Sequence, residues 1–300
     1  MHDAAATLDE SWIRDFWNSH PCGDGLVGGL DGRYRGDYER FFTEYDELRY
    51  AQEAHIPGCL DRLDVGGKRL LEIGTGEGAE AEQLIRRGAV YSAIDLTDEA
   101  IRRTTTRLTL RSLPFDRVEQ ASVLSIPWPD ASFDVVFSHG VLHHVPDIRS
   151  ASRELHRVLR PDGELVAMLY ARWSLNYLVA IGGVRRAAVV AAYPLRSRVS
   201  RGRLADHLRN ADREGLAAYL KMRRFVHANT DGPSNPYAKV YGQREVRADF
   251  PDFDVVDSWR TFMHAPPLPV RRLPGAAVMG WHLWVRMRPK RAADGVSTPG

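Results

Sequence analysis

The residue types and spacings best suited to chemistry begin at Leu71-Glu72-Ile73-Gly74-Thr75-Gly76-Glu77-Gly78-Ala79, where a short apolar run ends in glycines and a helix opens. Glycine lets a backbone turn tightly and lets a ligand come close to it. Asp95 ends the next apolar run, twenty-one residues after Gly74. A carboxylate placed there can accept hydrogen bonds from both hydroxyls of a ribose. Gly74, Gly76 and Ala79 also satisfy the loose dinucleotide fingerprint, which allows alanine at its third position. The acids point elsewhere: Glu72 precedes the loop and Glu77 sits in it, whereas a pyrophosphate needs that helix start free of carboxylates. An adenosine-bearing cation is not repelled, and S-adenosylmethionine, with its ammonium and sulfonium, is the expected ligand. A tight turn with solvated acids is the alternative that needs no ligand.

A second group of candidates follows a strongly apolar run at 133–137. His139 comes directly after Ser138, and His143 and His144 lie on the turn beyond. Imidazole is the usual proton acceptor near neutral pH. His139 is the first choice for a base and His143 the second; padding of the turn is the other role open to His143 and His144. No metal is expected, because the three histidines have no carboxylate partner nearby in sequence. Residues 227–237 are rich in turn formers and form a loop that either closes over a substrate, offering His227 or Tyr237, or merely connects. The aromatics Trp12, Phe16, Trp17, Tyr34, Tyr38 and Tyr45 have helical spacing and serve either as core or as a roof over a cation.

These residues must be positioned by alternating strands and helices. Strands are expected at 69–73, 89–94, 118–121, 133–137 and 164–170, with helices at 77–87, after Thr97, and around 148–159. Pro161-Asp162-Gly163 reads as a turn. Alternation of this kind implies a parallel sheet with both faces covered. The organisation expected is a helical N-terminal cap at 1–67, a ligand-binding core at 68–170, a mainly helical insertion at 171–250, closing strands within 251–289 and a disordered tail at 290–300.

Composition bounds the rest. A chain of 300 residues, 44% hydrophobic and 27% charged, suits a globular protein that needs no disulfide staples. Cys22 and Cys59 cannot build a disulfide framework or a four-cysteine zinc site. The start lacks a basic and then apolar leader, and the longest apolar approach, 177–195, is interrupted by Arg185-Arg186. A reduced, cytoplasmic protein without a membrane span is therefore expected, and a homo-oligomer is compatible with the sequence. Net charge is +2, but twelve Lys/Arg against Asp206, Asp212 and Glu214 give residues 171–225 a net +9 and leave the remainder at −7. That segment is either a solvated helical face or an anion-binding surface.

Four motifs in order complete the reading: Leu71 to Gly78 above; Ala93-Ile94-Asp95; Ser132-Phe133-Asp134-Val135-Val136-Phe137-Ser138-His139-Gly140-Val141-Leu142-His143-His144-Val145; and Glu154-Leu155-His156-Arg157-Val158-Leu159-Arg160-Pro161-Asp162-Gly163. Together they resemble the class I S-adenosylmethionine-dependent methyltransferases, in the branch of ubiquinone and menaquinone C-methyltransferases and small-molecule tailoring enzymes. The resemblance covers 68–170 and the closing strands. It implies an α/β, Rossmann-like, seven-stranded mostly parallel sheet with helices on both faces, carrying the helical cap and a helical lid insertion. It implies S-adenosylmethionine as cofactor and S-adenosylhomocysteine as product. By position it gives Glu72, Gly74, Thr75, Gly76 and Gly78 the methionine end, Asp95 the ribose and Leu96 the adenine, with His139 beside the cofactor. Ser122 stands where the family often has an acid for the adenine amino group, so the backbone at Val123 takes more of that task. The expected reaction is in-line methyl transfer to a small acceptor of secondary or isoprenoid metabolism, apolar because the insertion carries apolar helices at 177–181 and 187–192. An RNA methyltransferase gripping phosphates with the basic insertion is a second reading, although nucleic acid is not the expected partner. A non-methylating S-adenosylmethionine-binding protein or cyclase is a third.

Overall fold

Leu70, Leu71, Glu72 and Ile73 are all buried, the signature of a central parallel strand covered on both faces. They belong to β1 (Arg69–Ile73). The others are β2 (Val90–Asp95), β3 (Arg117–Gln120), β4 (Phe133–His139), β5 (Leu159–Tyr170), β6 (Phe253–Thr261) and β7 (His282–Pro289). The computed structural model describes residues 10–290. The sheet order is β3-β2-β1-β4-β5-β7-β6. β1 to β5 are parallel, and β7 runs antiparallel to both β5 and β6. The order reverses beside β1, so the C-terminal ends of β1 and β4 diverge around a crevice, where open α/β sheets hold their ligands.

Two apolar layers sandwich the sheet. One joins Leu71, Val136 and Leu165 to Leu155 and Val158 of the helix Ile148–Val158. The other joins Leu70, Tyr91 and Phe137 to Leu84 of the helix Ala79–Arg86 and Leu108 of the helix Asp98–Leu110. Thr97 caps the latter, its hydroxyl accepting the Ala100 amide at 3.3 Å. The helix expected to open at Glu77 instead starts at Ala79, because Gly78 is left-handed at φ +71°. Pro161 to Gly163 do not interrupt the fifth strand. Phe133 pairs with Leu159 and Val135 with Glu164, so the turn is held as a bulge inside β5.

Ahead of β1 lie helices Glu10–Ser19, Asp24–Val27, Tyr38–Gln52 and His55–Leu60; between β5 and β6 lie others, including Arg203–Glu214 and Met222–Thr230. The latter group has its own apolar cluster around Ile181, Leu208, Tyr219 and Phe225. The break expected at Arg185-Arg186 is corrected: Asn176–Arg198 is a continuous helix, long and apolar enough to cross a membrane by length and composition. It buries Ile181 and Val189 against Leu208, Tyr219 and Phe225, and so does not overturn the expectation of no span. Arg185 does not break it, because its guanidinium folds back onto the carbonyls of Pro266 at 2.6 Å and Asn229 at 2.8 Å. At the C-terminus Lys290 is fixed, its amide bonded to the Asp252 carbonyl. The rest of the expected disordered tail, 291–300, lies outside the described residues, as does the expected helix start at Asp9.

Candidate active site

The C-terminal ends of β1, β2 and β4 open into a cleft of about 1500 Å³, closed from above by the N-terminal helices and by residues from the segment between β5 and β6. Gly74, Thr75, Gly76, Asp95, Leu96, Val123 and His139 all lie on its wall. Gly74 has φ +79°, and a Cβ there would stand 2.2 Å from Val141 Cγ2. Close approach of the turn to the loop after β4 therefore requires glycine. Asp95 braces this turn. Its Oδ2 accepts the Thr75 amide at 2.8 Å, and its Oδ1 accepts the amide and hydroxyl of Thr97 at 2.9 and 2.8 Å. Burial raises the pKa of Asp95, and these donors oppose the rise.

Four residues expected at the site are off the wall. Glu72 is buried behind the turn and accepts the Tyr91 hydroxyl, so it supports the loop from below. Burial holds its pKa well above the usual carboxylate range. Gly78 packs on the helix Asp98–Leu110, where a Cβ would come within 3.1 Å of Thr104 Cα. The Ser122 hydroxyl donates to Glu10 Oε1 at 2.6 Å and accepts the Leu124 amide at 2.9 Å. His143 is wholly buried, its ring 3.8 Å from that of Tyr170, and burial keeps its pKa well below normal. His143 is therefore withdrawn as a base.

The charge argument also changes. Glu77 lines the cleft, but its Oε1 accepts Arg103 Nη1 at 2.8 Å and the Gly23 amide at 3.1 Å. Its charge is already matched by a buried guanidinium. The acid that sequence did not anticipate is Glu10, which lines the cleft beside Ser122 and supplies a carboxylate where the strand-end residue has only a hydroxyl.

His139 sits in a polar nest. Its Nδ1 is 3.4 Å from Arg49 Nη2 and 4.0 Å from Glu80 Oε1, and Arg49 pairs with Glu80 at 2.5 Å. Burial, helped by Arg49, pushes its pKa down to about 3. A base so weak takes up a proton poorly at neutral pH. Packing adds carboxylates that lie far away in sequence: Glu53 and Glu80 both share its wall.

The histidine better placed for proton transfer is His144. Its Nδ1 is 2.7 Å from the Tyr237 carbonyl, which only accepts, so Nδ1 carries the hydrogen. Its Nε2 is 3.3 Å from Asp231 Oδ2. Asp231 accepts the Tyr170 hydroxyl at 2.9 Å. Burial opposes ionisation of Asp231, but His144 and Tyr170 outweigh it and hold its pKa below the usual range. Trp17 packs edge-on against His144 at 5.2 Å. The expected 227–237 loop begins only after Thr230, because 227–230 end the helix Met222–Thr230. Residues 228–234 reach the cleft, while His227 and Tyr237 stack on each other at 5.1 Å off its wall. Among the N-terminal aromatics Phe16, Trp17 and Tyr45 line the cleft, Trp12 is exposed, and Tyr34 joins Phe41 in a separate core.

The glycine turn, the braced carboxylate and the strand order define a Rossmann-like methyltransferase site, and a family profile described as a methyltransferase domain matches residues 71–167. The chain belongs to the class I S-adenosylmethionine-dependent methyltransferases and uses S-adenosylmethionine as its cofactor. A malonyl-[acyl-carrier protein] O-methyltransferase of Halorhodospira halophila is 31% identical over 221 residues, spanning 72% of this chain and 68% of that relative. A ubiquinone biosynthesis O-methyltransferase of Xanthomonas oryzae pv. oryzae is 31% identical over 155 residues, 50% of this chain and 64% of the relative. In fold, a methyltransferase from Methanosarcina mazei superposes with a TM-score of 0.51 at 16% identity, over 78% of this chain and 97% of the other.

Proposed function

We propose that this enzyme methylates an oxygen of a small, largely apolar acceptor held between the glycine turn and the helices that follow β5. The single observation that carries this reading is the continuity of the cleft: one cavity runs from Gly74 and Asp95 to Ala188, Val189 and Leu204. When bound, S-adenosylmethionine supplies an activated methyl group on a sulfonium. Asp95 holds the ribose of that ligand and the Gly74–Gly76 turn its methionine end, and Glu10 stands where the adenine amino group needs an acceptor. The helices after β5 act as a lid that excludes water and fixes the acceptor in line, which is the main work of a transferase of this kind. The oxygen assignment follows the names of the two relatives above and the presence of a proton acceptor on the wall. His144 Nε2 and Asp231 Oδ2 lie 3.3 Å apart, both buried and neither hydrogen-bonded, so a proton relayed inward from an acceptor hydroxyl would be held between them.

The basic segment pairs its own acids internally. Arg196 pairs with Asp212, Arg209 with Asp206 and Arg224 with Glu214, which engages three of its twelve cations and leaves the net +9 to be tested against RNA directly. The test is release of S-adenosylhomocysteine with a panel of apolar phenols, alcohols and carboxylic acids, with RNA as a parallel substrate. Turnover with an oxygen acceptor is expected. His144→Ala should lower it by about 10²–10⁴-fold, the usual worth of general-base assistance, with S-adenosylhomocysteine affinity kept within a few-fold. Methylation of RNA alone would sink the reading.

A further inference from the structure

Chain segments distant in sequence bring a second constellation to the cleft. Glu53 follows the helix Tyr38–Gln52, His139 ends β4 and His282 begins β7. One donor atom of each lies within 4.8 Å of the other two. All three line the same cavity. The surroundings orient the rings. His282 Nδ1 is 3.1 Å from His55 Nε2, which leaves its Nε2 as the nitrogen able to bind something else. His139 has its Nδ1 turned to Arg49 and Glu80, and its Nε2 is buried without any hydrogen-bond partner. Such an orphaned buried nitrogen is a cost unless a ligand satisfies it. The ring is also fixed from outside, 5.1 Å from Trp284.

We propose that Glu53, His139 and His282 form a binding site for a divalent first-row transition ion. Two imidazoles and one carboxylate are the donor set that zinc and iron(II) take with open positions left over. The outer partners are those a metal-bound histidine needs. Metal on His139 Nε2 requires the hydrogen to move to Nδ1, 4.0 Å from Glu80 Oε1, and Arg49 Nη2, 3.4 Å from that nitrogen, to turn to Glu80 alone. Metal on His282 Nε2 places the hydrogen on Nδ1, facing His55. Charge agrees. Glu53 and Glu80 both pair with Arg49, at 4.0 and 2.5 Å, and the two carboxylates outnumber that guanidinium by one negative charge. The neutral histidines His55, His139 and His282 add nothing to repel a cation. Bonds of about 2.0–2.2 Å require the donors to close by about 1 Å, which side-chain rotation provides. The open side of the ion faces the cleft, so it would hold an acceptor oxygen. That last role rests on the methyl-transfer reading; the ion site does not.

The experiment is titration of the chelator-stripped full chain with Co²⁺, followed by visible d–d absorption, with thermal melting of the same samples. Saturation near one ion per chain, a d–d band of nitrogen–oxygen ligation and displacement by Zn²⁺ are expected. Glu53→Gln preserves size and should weaken Co²⁺ binding by at least about tenfold, as should His282→Asn, with the ion-free melting temperature of Glu53→Gln unchanged. Absence of the band, or Co²⁺ binding by Glu53→Gln as tight as by the parent, overturns the site. Calorimetry with S-adenosylhomocysteine on the same ion-free protein reads the cofactor site separately, so failure of one reading is distinguishable from failure of the other.

Discussion

At the level of single residues, the site rests on carboxylates that do two things at once. Asp95 braces Thr75 and Thr97 before any ribose arrives. Asp95→Ala should weaken S-adenosylhomocysteine binding by about 1.5–3 kcal/mol, the usual cost of hydrogen bonds to a charged group, and calorimetry measures it. Because the turn itself loosens, the Thr75 amide should exchange its hydrogen faster in the same variant. Glu10 offers a sharper test. It comes from the N-terminal helix, yet its Oε1 accepts the Ser122 hydroxyl at 2.6 Å. If its other oxygen receives the adenine amino group, Glu10→Ala should cost about 1–2 kcal/mol in affinity for S-adenosylhomocysteine and much less for its inosine analogue, which lacks that amino group. Equal losses for both ligands would remove Glu10 from adenine recognition. Sequence alone made Ser122 look like a gap, because the replacement carboxylate lies 112 residues away. Separation along the chain also hid the partners of His139, Arg49 being 90 residues away. Gly74, Asp95 and the histidines were legible because each stands at or just beyond the C-terminal end of its own strand in a recognisable local motif, while Glu10, Glu53 and His282 converge only through tertiary packing.

At the level of elements, the N-terminal helices are attached to the core by buried charge. The Arg107 side chain is fully buried between Asp46 of the helix Tyr38–Gln52 and Glu82 of the helix Ala79–Arg86, and its Nε donates to the Glu77 carbonyl at 2.7 Å. Arg111 joins the same acids. Burial pushes the Glu82 pKa up, but Arg86, Arg111 and Arg107 outweigh it and leave it below its usual value. A carboxylate depressed in the folded state stabilises the fold above its unfolded pKa and loses that contribution as pH falls through the folded value. The protein should therefore lose stability on acidification from about pH 4.5 downward, and Glu82→Gln should flatten that limb of the melting temperature against pH. An unchanged limb would assign it to other acids. Strand ends were read from sequence to within a few residues because β-branched and apolar runs stop at polar turn residues. The bulge in β5 was not, since Pro161-Asp162-Gly163 carries the same turn signal whether it ends a strand or bows out of one.

At the level of the whole molecule, the sheet supplies the cofactor end of the cleft and the helices after β5 supply the other. Sequence showed where alternation stopped, and because the insertion leaves β5 at the edge where ligands bind it gave the expectation of a lid there, although apolar periodicity by itself does not encode docking direction. Their placement makes a specific prediction. Ala188 lies on the cavity wall, on the helix that continues from Asn176 to Arg198, while the glycine turn forms a separate part of that wall. Its small side chain leaves room that an acceptor can fill. Ala188→Trp should intrude on that room without touching the turn. For a bulky acceptor KM should rise by at least about tenfold, equivalent to about 1.4 kcal/mol of lost binding. For a small acceptor it should change little, and S-adenosylhomocysteine affinity should stay within about twofold. The comparison separates the two ends of the cleft in one variant. A loss of S-adenosylhomocysteine binding with acceptor KM unchanged would place the cofactor against the helices after β5 and reverse the assignment of the cavity.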